Sequence, residues 1–171
     1  AATSLEEYKA LGYLDSAILN TLARLGWSKG ENEIFYLDDL IRDFEITEVQ
    51  KAGAIFDITK LDYLNVQHMA NLSHEDFINE LKPFLNKKSI NYQNHPKLHD
   101  LIESMRTSAN TLDGIASNLI CYFTDIEEYD DKAIAKFIGD SYEVLEDLKA
   151  RLSNLNEWEE AVLDNVLTDY R

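Results

Sequence analysis

Residues 57–85 read DITKLDYLNVQHMANLSHEDFINELKPFL, and this stretch decides the fold. Asp57 suits a helix N-cap, and Leu61, Leu64 and Met69 follow it at helical spacing. Ser73 then restarts the pattern. Asp76 stands three residues on, and Phe77, Ile78 and Leu81 form the inward face. Pro83 predicts a stop or a kink, because proline lacks a donor and clashes with the preceding turn. The helical period continues on both sides, so the class expected for the chain is all-α.

Toward the N-terminus, Ser4-Leu5-Glu6-Glu7 is a capping-box pattern and Gly12 a plausible stop. Ile18, Leu19, Leu22 and Leu25 predict a second helix ended by Gly26. Residues 27–33 read as a loop, and Asp38 and Asp39 open a helix carrying Leu40, Ile41 and Phe44. Gly53 marks another break. Toward the C-terminus, the polar residues 86–94 mark a candidate boundary between two packed helical subdomains. Pro96 suits a first helical turn. Leu98, Leu101, Ile102 and Met105 run on from it, followed by Leu112, Ile115, Leu119 and Phe123. After an acidic loop at 125–131, residues 133–138 predict a short helix stopped by Gly139. Residues 141–155 carry Val144, Leu145, Leu148 and Leu152, and Asn156 can cap a last helix with Trp158, Ala161, Val162 and Val166. The first helix starts almost at residue 1 and the last has no stop signal before Arg171, so both ends read as cut.

The 171 residues carry 16 Lys and Arg against 32 Asp and Glu, a formal net charge of −16. The charge is uneven: residues 1–50 hold 4 basic and 10 acidic side chains, residues 51–106 hold 7 and 7, and residues 107–171 hold 5 and 15. The middle is therefore the least hostile surface for a polyanion, and the last third repels one over about 8–10 Å. No apolar run reaches the roughly 18 residues of a membrane span. The N-terminal residues lack the basic and apolar regions of a secretory signal. A single cysteine, Cys121, excludes a disulfide framework and a cysteine-cluster zinc site, and fits a reduced, cytoplasmic setting.

Reactive constellations are sparse. His95 and His99 stand four apart, a spacing that can hold a metal on a helix, but Pro96 puts His95 at the cap and nothing completes the ligand set. They read first as solvated or capping histidines, second as the seed of a metal-dependent enzyme. The acidic run Asp125, Glu127, Glu128, Asp130 and Asp131 lacks the alternation and central glycine of a calcium loop. Cys121, among Leu119, Ile120, Tyr122 and Phe123, reads as a buried inert thiol. Tyr8, Tyr13, Trp27, Phe35 and Tyr36 can stack on bases, but aromatic residues at packing positions read first as core. Lys87 and Lys88 form an adjacent basic pair, read first as a solvated loop and second as a phosphate contact. No Gly-rich phosphate loop and no nucleophile elbow is present.

Two stretches carry a resemblance. The first runs Tyr8-Lys9-Ala10-Leu11-Gly12-Tyr13-Leu14 and on through Ile18-Leu19-Asn20-Thr21-Leu22-Ala23-Arg24-Leu25-Gly26-Trp27-Ser28. The second is Ile55-Phe56-Asp57-Ile58-Thr59-Lys60-Leu61-Asp62-Tyr63-Leu64-Asn65, with Glu33-Ile34-Phe35 between them. Together they resemble the region that follows the catalytic domain in bacterial-type glutamyl-tRNA synthetases. Leu81-Lys82-Pro83-Phe84-Leu85, Tyr122-Phe123-Thr124-Asp125 and Glu157-Trp158 extend the likeness over nearly the whole chain.

The resemblance implies that residues 1–70 form a stem-contact-like helical domain and residues 71–171 the first part of a helical anticodon-binding domain. It implies that the chain begins after the family's lysine-rich ATP signature and stops short of its second anticodon subdomain. On this likeness the chain holds no catalytic site and no cofactor. ATP and Mg2+ belong to the missing N-terminal catalytic domain. The partner implied is tRNA, for glutamate and possibly for glutamine, with no DNA and no membrane, bound by a monomer in the cytoplasm. Lys60 and Asn65 match family positions exposed to the RNA, and Lys60 can equally serve to support its helix. Lys51, Lys82 and Arg106 are generic phosphate candidates. One departure stands out: many family members carry an arginine, implicated in anticodon reading, in the helix aligned with Met105 to Leu112, where this chain has Ser108. Serine makes no bidentate charged contact, and Arg106 points elsewhere on a helix. The competing reading is a stand-alone acidic helical interaction domain that no longer binds RNA.

Overall fold

The structure, a computed structural model, describes residues 4–51, 53, 55–92, 97–125 and 128–170. Among them lie ten α-helices and no β-strand. The chain forms two compact units, Ala1–Asp125 and Ile126–Arg171.

The first unit holds α1 (Leu5–Ala10), α2 (Asp15–Ala23), α3 (Leu37–Asp43), α4 (Ile58–Asn71), α5 (His74–Lys87), α6 (Leu98–Met105) and α7 (Leu112–Phe123). Local signals set the starts. Ser4 Oγ accepts from Glu7 N–H at 3.3 Å while Glu7 Oε2 accepts from Ser4 N–H at 3.3 Å, the expected capping box. Asp57 Oδ1 accepts from Thr59 N–H at 2.9 Å, and Ser73 Oγ accepts from Asp76 N–H at 3.1 Å. Gly12, just beyond α1, has φ +91°.

α2 packs on α4, and α5 and α6 pack on α7. Their inward faces build one core in which Leu61, Met69, Phe77, Leu81, Leu85, Ile102, Ile115 and Leu119 are buried. A smaller cluster of Trp27, Phe35 and Leu40 closes the loop after α2. The aromatic residues there are packing groups: Trp27 meets Phe35 edge-on at 5.0 Å.

Several expectations change. α5 runs through Pro83 to Lys87. Pro83 and Asn79 lie on the exposed side, while Phe77, Leu81 and Leu85 hold the opposite face. Residues 86–94 do not separate two cores, since Ile90 and Tyr92 are buried in the common one; residues 93–94 lie outside the described residues. α2 ends at Ala23, before Gly26, and leaves Leu19 and Leu22 exposed; Ile41 and Phe44 of the α3 region are exposed too. The chain from 106 to 111 is a loop, so Ser108 is not on a helix. Cys121 is exposed, because it sits about 200° around α7 from buried Leu119.

The second unit comprises α8 (Asp131–Ala133) running into a π-helical turn over Ile134–Ile138, then α9 (Tyr142–Ser153) and α10 (Glu160–Thr168). α10 starts four residues after Asn156, and Trp158 is exposed outside it. α9 packs on α10 through half-buried Leu148, Leu152, Val162 and Val166. Arg151 clamps the pair, holding Asp147 at 3.0 Å and Asp169 at 2.6 Å. No residue described in this unit is fully buried.

Candidate nucleic-acid interface

An RNA-docking surface needs cations that are free to leave their own carboxylates. Most cations of the first unit are not. Lys9 pairs with Asp15 at 3.0 Å, Lys29 with Asp43 at 2.9 Å, and Lys88 with Asp113 at 3.2 Å. Lys87 reaches the same Asp113 at 3.8 Å. Arg42 lies between Asp39 and Asp43, and its guanidinium with Lys29 holds the Asp43 carboxyl down at about 2.

The five sequence candidates separate into two groups. Lys51 is exposed and Lys82 half-buried, and neither has a carboxylate in ion-pair reach among the described residues; Lys82 Nζ donates to Asn79 Oδ1 at 2.9 Å. Lys60, in the first turn of α4, is half-buried, with Nζ donating to Glu33 Oε1 at 3.0 Å. That contact holds the Glu33 carboxyl below the usual carboxylate range. Arg24 shares Glu33 at 3.3 Å and also donates to the Asn32 carbonyl. Arg24 carries no sequence signal for this role, because the loop that supplies Glu33 is placed only by the fold.

Asn65 and Arg106 are structural. Asn65 is fully buried. Its Oδ1 accepts from Leu14 N–H at 2.8 Å and its Nδ2 donates to the Asn110 carbonyl at 2.7 Å and to the Gly12 carbonyl at 3.4 Å. It ties the α1–α2 turn and the α6–α7 loop to α4, and presents no polar atom to an RNA. Arg106 has only 11% of its side chain exposed. It donates to the Leu72 carbonyl at 2.8 Å and the Met69 carbonyl at 3.3 Å, capping the C-terminus of α4. Its guanidinium carbon stands 4.4 Å above the Phe77 ring centroid, and Nη2 donates to Glu103 at 2.7 Å. Glu103 also meets His74 Nδ1, and that contact, with Arg106, holds the Glu103 carboxyl low. Both residues act on the surface from inside, by fixing the loop they share.

Ser108 is exposed on that loop. Asn118 Nδ2 donates to its carbonyl at 3.0 Å and to its Oγ at 3.3 Å, which anchors the loop on α7. Of the histidines, His99 is stacked on His74 with centroids 3.4 Å apart, and His95 lies outside the described residues. Among the described residues no group of three His, Cys, Asp or Glu is arranged to hold a metal ion, and no helix is long and apolar enough to cross a membrane.

Comparison with known proteins adds to this geometry. A family profile described as an anticodon binding domain matches residues 76–171. A second, described as the catalytic domain of class I tRNA synthetases (E and Q), matches residues 1–63. Glutamate–tRNA ligase 1 of Campylobacter hominis is 41% identical over 140 residues, which is 82% of this chain and 29% of that protein. Glutamate–tRNA ligase 2 of Halorhodospira halophila is 33% identical over 169 residues, 98% of this chain and 36% of that protein. The crystal structure of a glutamate tRNA ligase from Elizabethkingia meningosepticum superposes with a TM-score of 0.76 at 27% identity, over 95% of this chain and 32% of that one. The chain thus spans about a third of the length of the curated relatives it matches.

Proposed function

Because the chain belongs to the glutamate–tRNA ligase family, with residues 76–171 matching its anticodon-binding domain, we propose that it docks tRNA for a longer enzyme that attaches glutamate to that tRNA with ATP and Mg2+. The single observation that carries this reading is the anticodon-binding profile over residues 76–171 of an all-helical fold. ATP chemistry belongs to the rest of the catalytic domain, of whose profile this chain matches a part at residues 1–63. Residues 1–70 contact the stem and residues 71–171 the anticodon arm, for a monomer working in the cytoplasm, where tRNA is charged.

The balanced charge of residues 51–106 leaves this part of the surface open to phosphates, with Lys51 and Lys82 as the contacts free of carboxylate competition. Lys60 exchanges Glu33 for a phosphate, or stays as the support of the loop. Asn65 and Arg106 position the loop over 106–111. Exposed Ser108 gives that loop a neutral tip, so the anticodon of tRNA for glutamine is admitted beside that for glutamate.

The test is tRNA binding across a salt series. The expected result is a log affinity that falls linearly with log salt, with a slope close to the number of phosphates neutralised. Binding that is absent or indifferent to salt, in this chain and in the parent-length protein, rejects the reading. It favours the acidic interaction domain instead, for which the 15 acidic against 5 basic side chains of residues 107–171 argue.

A further inference from the structure

A cavity of about 470 Å³ opens where four pieces of the first unit meet: the α1–α2 turn, the end of α4, one face of α5 and the start of α7. Its apolar lining is Leu14 and Leu112, which are buried, with Leu72 and Phe84, which are half-buried. Backbone bonds hold these walls in place. Leu14 N–H donates to Asn65 Oδ1 at 2.8 Å, and Leu112 N–H donates to the Gly12 carbonyl at 3.0 Å. A preformed recess of this size, mostly apolar with a few polar groups, has the dimensions of a small-molecule site.

The charges that line it do not cancel. Lys9 and Asp15 neutralise each other at 3.0 Å. Glu80 is exposed and has no hydrogen bond or ion pair among the described residues. Tyr13 adds no free polar atom, because its hydroxyl donates to Asp62 at 2.5 Å. The recess therefore carries one uncompensated negative charge, which repels the phosphates of an RNA and attracts a cation. Lys82, the phosphate candidate of α5, stands about 200° around the helix from Glu80, so α5 presents the two on separate faces.

We propose that this recess binds a small organic cation: an ammonium or guanidinium head set against Glu80, on an apolar body that lies against Leu14, Leu72, Phe84 and Leu112. The inference stands apart from the family reading above, since no tRNA contact enters it. Bound there, the ligand bridges the α1–α2 turn and α5 and stiffens the junction between them.

Three probes with one apolar body and different charges test it: phenethylamine, phenethyl alcohol and hydrocinnamate, each titrated into this chain and followed by its amide NMR signals. The amine should shift the signals of residues 14–16, 80, 84 and 112 saturably, and bind about three- to fivefold more tightly than the alcohol, the gain an exposed charge pair supplies. Hydrocinnamate should bind more weakly than the alcohol. Equal binding of amine and alcohol, shifts centred elsewhere, or no saturable binding overturns the proposal. Glu80→Gln should bring amine and alcohol together while leaving the melting temperature where it was, because Glu80 is exposed and makes no polar contact to lose. A preference for the amine that survives this change overturns the assignment of the head group to Glu80. Asp15→Asn gives a readout that does not depend on Glu80. It frees the Lys9 ammonium, and hydrocinnamate should then bind at least as well as the alcohol. Hydrocinnamate binding as weakly as before overturns the placement of the ligand beside these charges.

Discussion

His68 Nε2 stands 3.1 Å from Asn20 Oδ1, an oxygen that also accepts from Phe35 N–H at 2.9 Å. Asn20 Nδ2 in turn donates to the Glu33 carbonyl at 3.1 Å, which fixes the amide's orientation and makes the imidazole nitrogen the donor. Both side chains are buried, so α4, α2 and the segment 33–35 hang on one polar node inside the core. Burial pushes the His68 pKa below its usual value of 6.5. The folded state therefore refuses a proton that the unfolded chain accepts. The stability this confers is complete above the unfolded value and is lost as pH falls from there toward the folded one. Glutamine keeps a donor at this position without titrating. His68→Gln should flatten the dependence of stability on pH between about pH 7.5 and pH 5 relative to wild type, in denaturant melts. Parallel curves for the two proteins count against it.

Gly12 admits no side chain. A Cβ there would lie 2.6 Å from Asp113 N and 2.7 Å from Leu112 N, and φ is +91°. The Gly12 carbonyl also accepts from Leu112 N–H at 3.0 Å, so the turn cannot retreat without breaking the start of α7. Gly12→Ala should cost more than about 2 kcal/mol, seen as a melting temperature lower by several degrees. A loss below half that figure would mean that the turn and α7 are less tightly joined.

Arg106 and Lys82 are both cations, yet they should fail differently. Arg106→Met removes a helix cap and a ring contact, and should lower stability by about 2 kcal/mol while leaving the salt slope of tRNA binding where it was. Lys51→Glu and Lys82→Glu should barely change melting, weaken tRNA binding at every salt concentration and reduce the slope by about one each. A salt slope altered by Arg106→Met, with normal melting, would return that residue to the RNA surface.

That contrast shows what the sequence holds and what it hides. The caps at Ser4, Asp57 and Ser73 were legible because each partner sits two or three residues away. The core role of Trp27 and Phe35 followed from their hydrophobicity. Asn65 and Arg106 were not legible as internal braces: their partners lie 51 residues away at Leu14 and 34 away at Leu72, and only the fold brings them together. The exposure of Leu19, Leu22 and Ile41 was hidden for a related reason. Helical period says that residues share a face, but not that a partner covers it. The stop that Pro83 offered does not occur, because α5 runs on to Lys87; what a proline costs depends on whether the orphaned carbonyl meets water, a property of exposure and not of sequence.

Ser108 offers the most direct test of how the anticodon is read. It is exposed in a loop held from below by Asn118, by Arg106 at the end of α6 and, through Asn110, by Asn65. A longer side chain there meets solvent, not core, so Ser108→Arg should melt within about 0.5 kcal/mol of wild type. The guanidinium adds a planar, permanently charged donor set where the loop now ends in a hydroxyl. Affinity for tRNA should rise, with the salt slope steeper by about one. If the loop faces the anticodon, the gain must also depend on sequence. Affinities for tRNA of glutamate and of glutamine, equal or nearly so in the wild type, should part by a factor of about 5–100, the range a bidentate base contact supplies. A gain identical for both tRNAs would make the loop a phosphate contact only, and no gain at all would place the anticodon elsewhere.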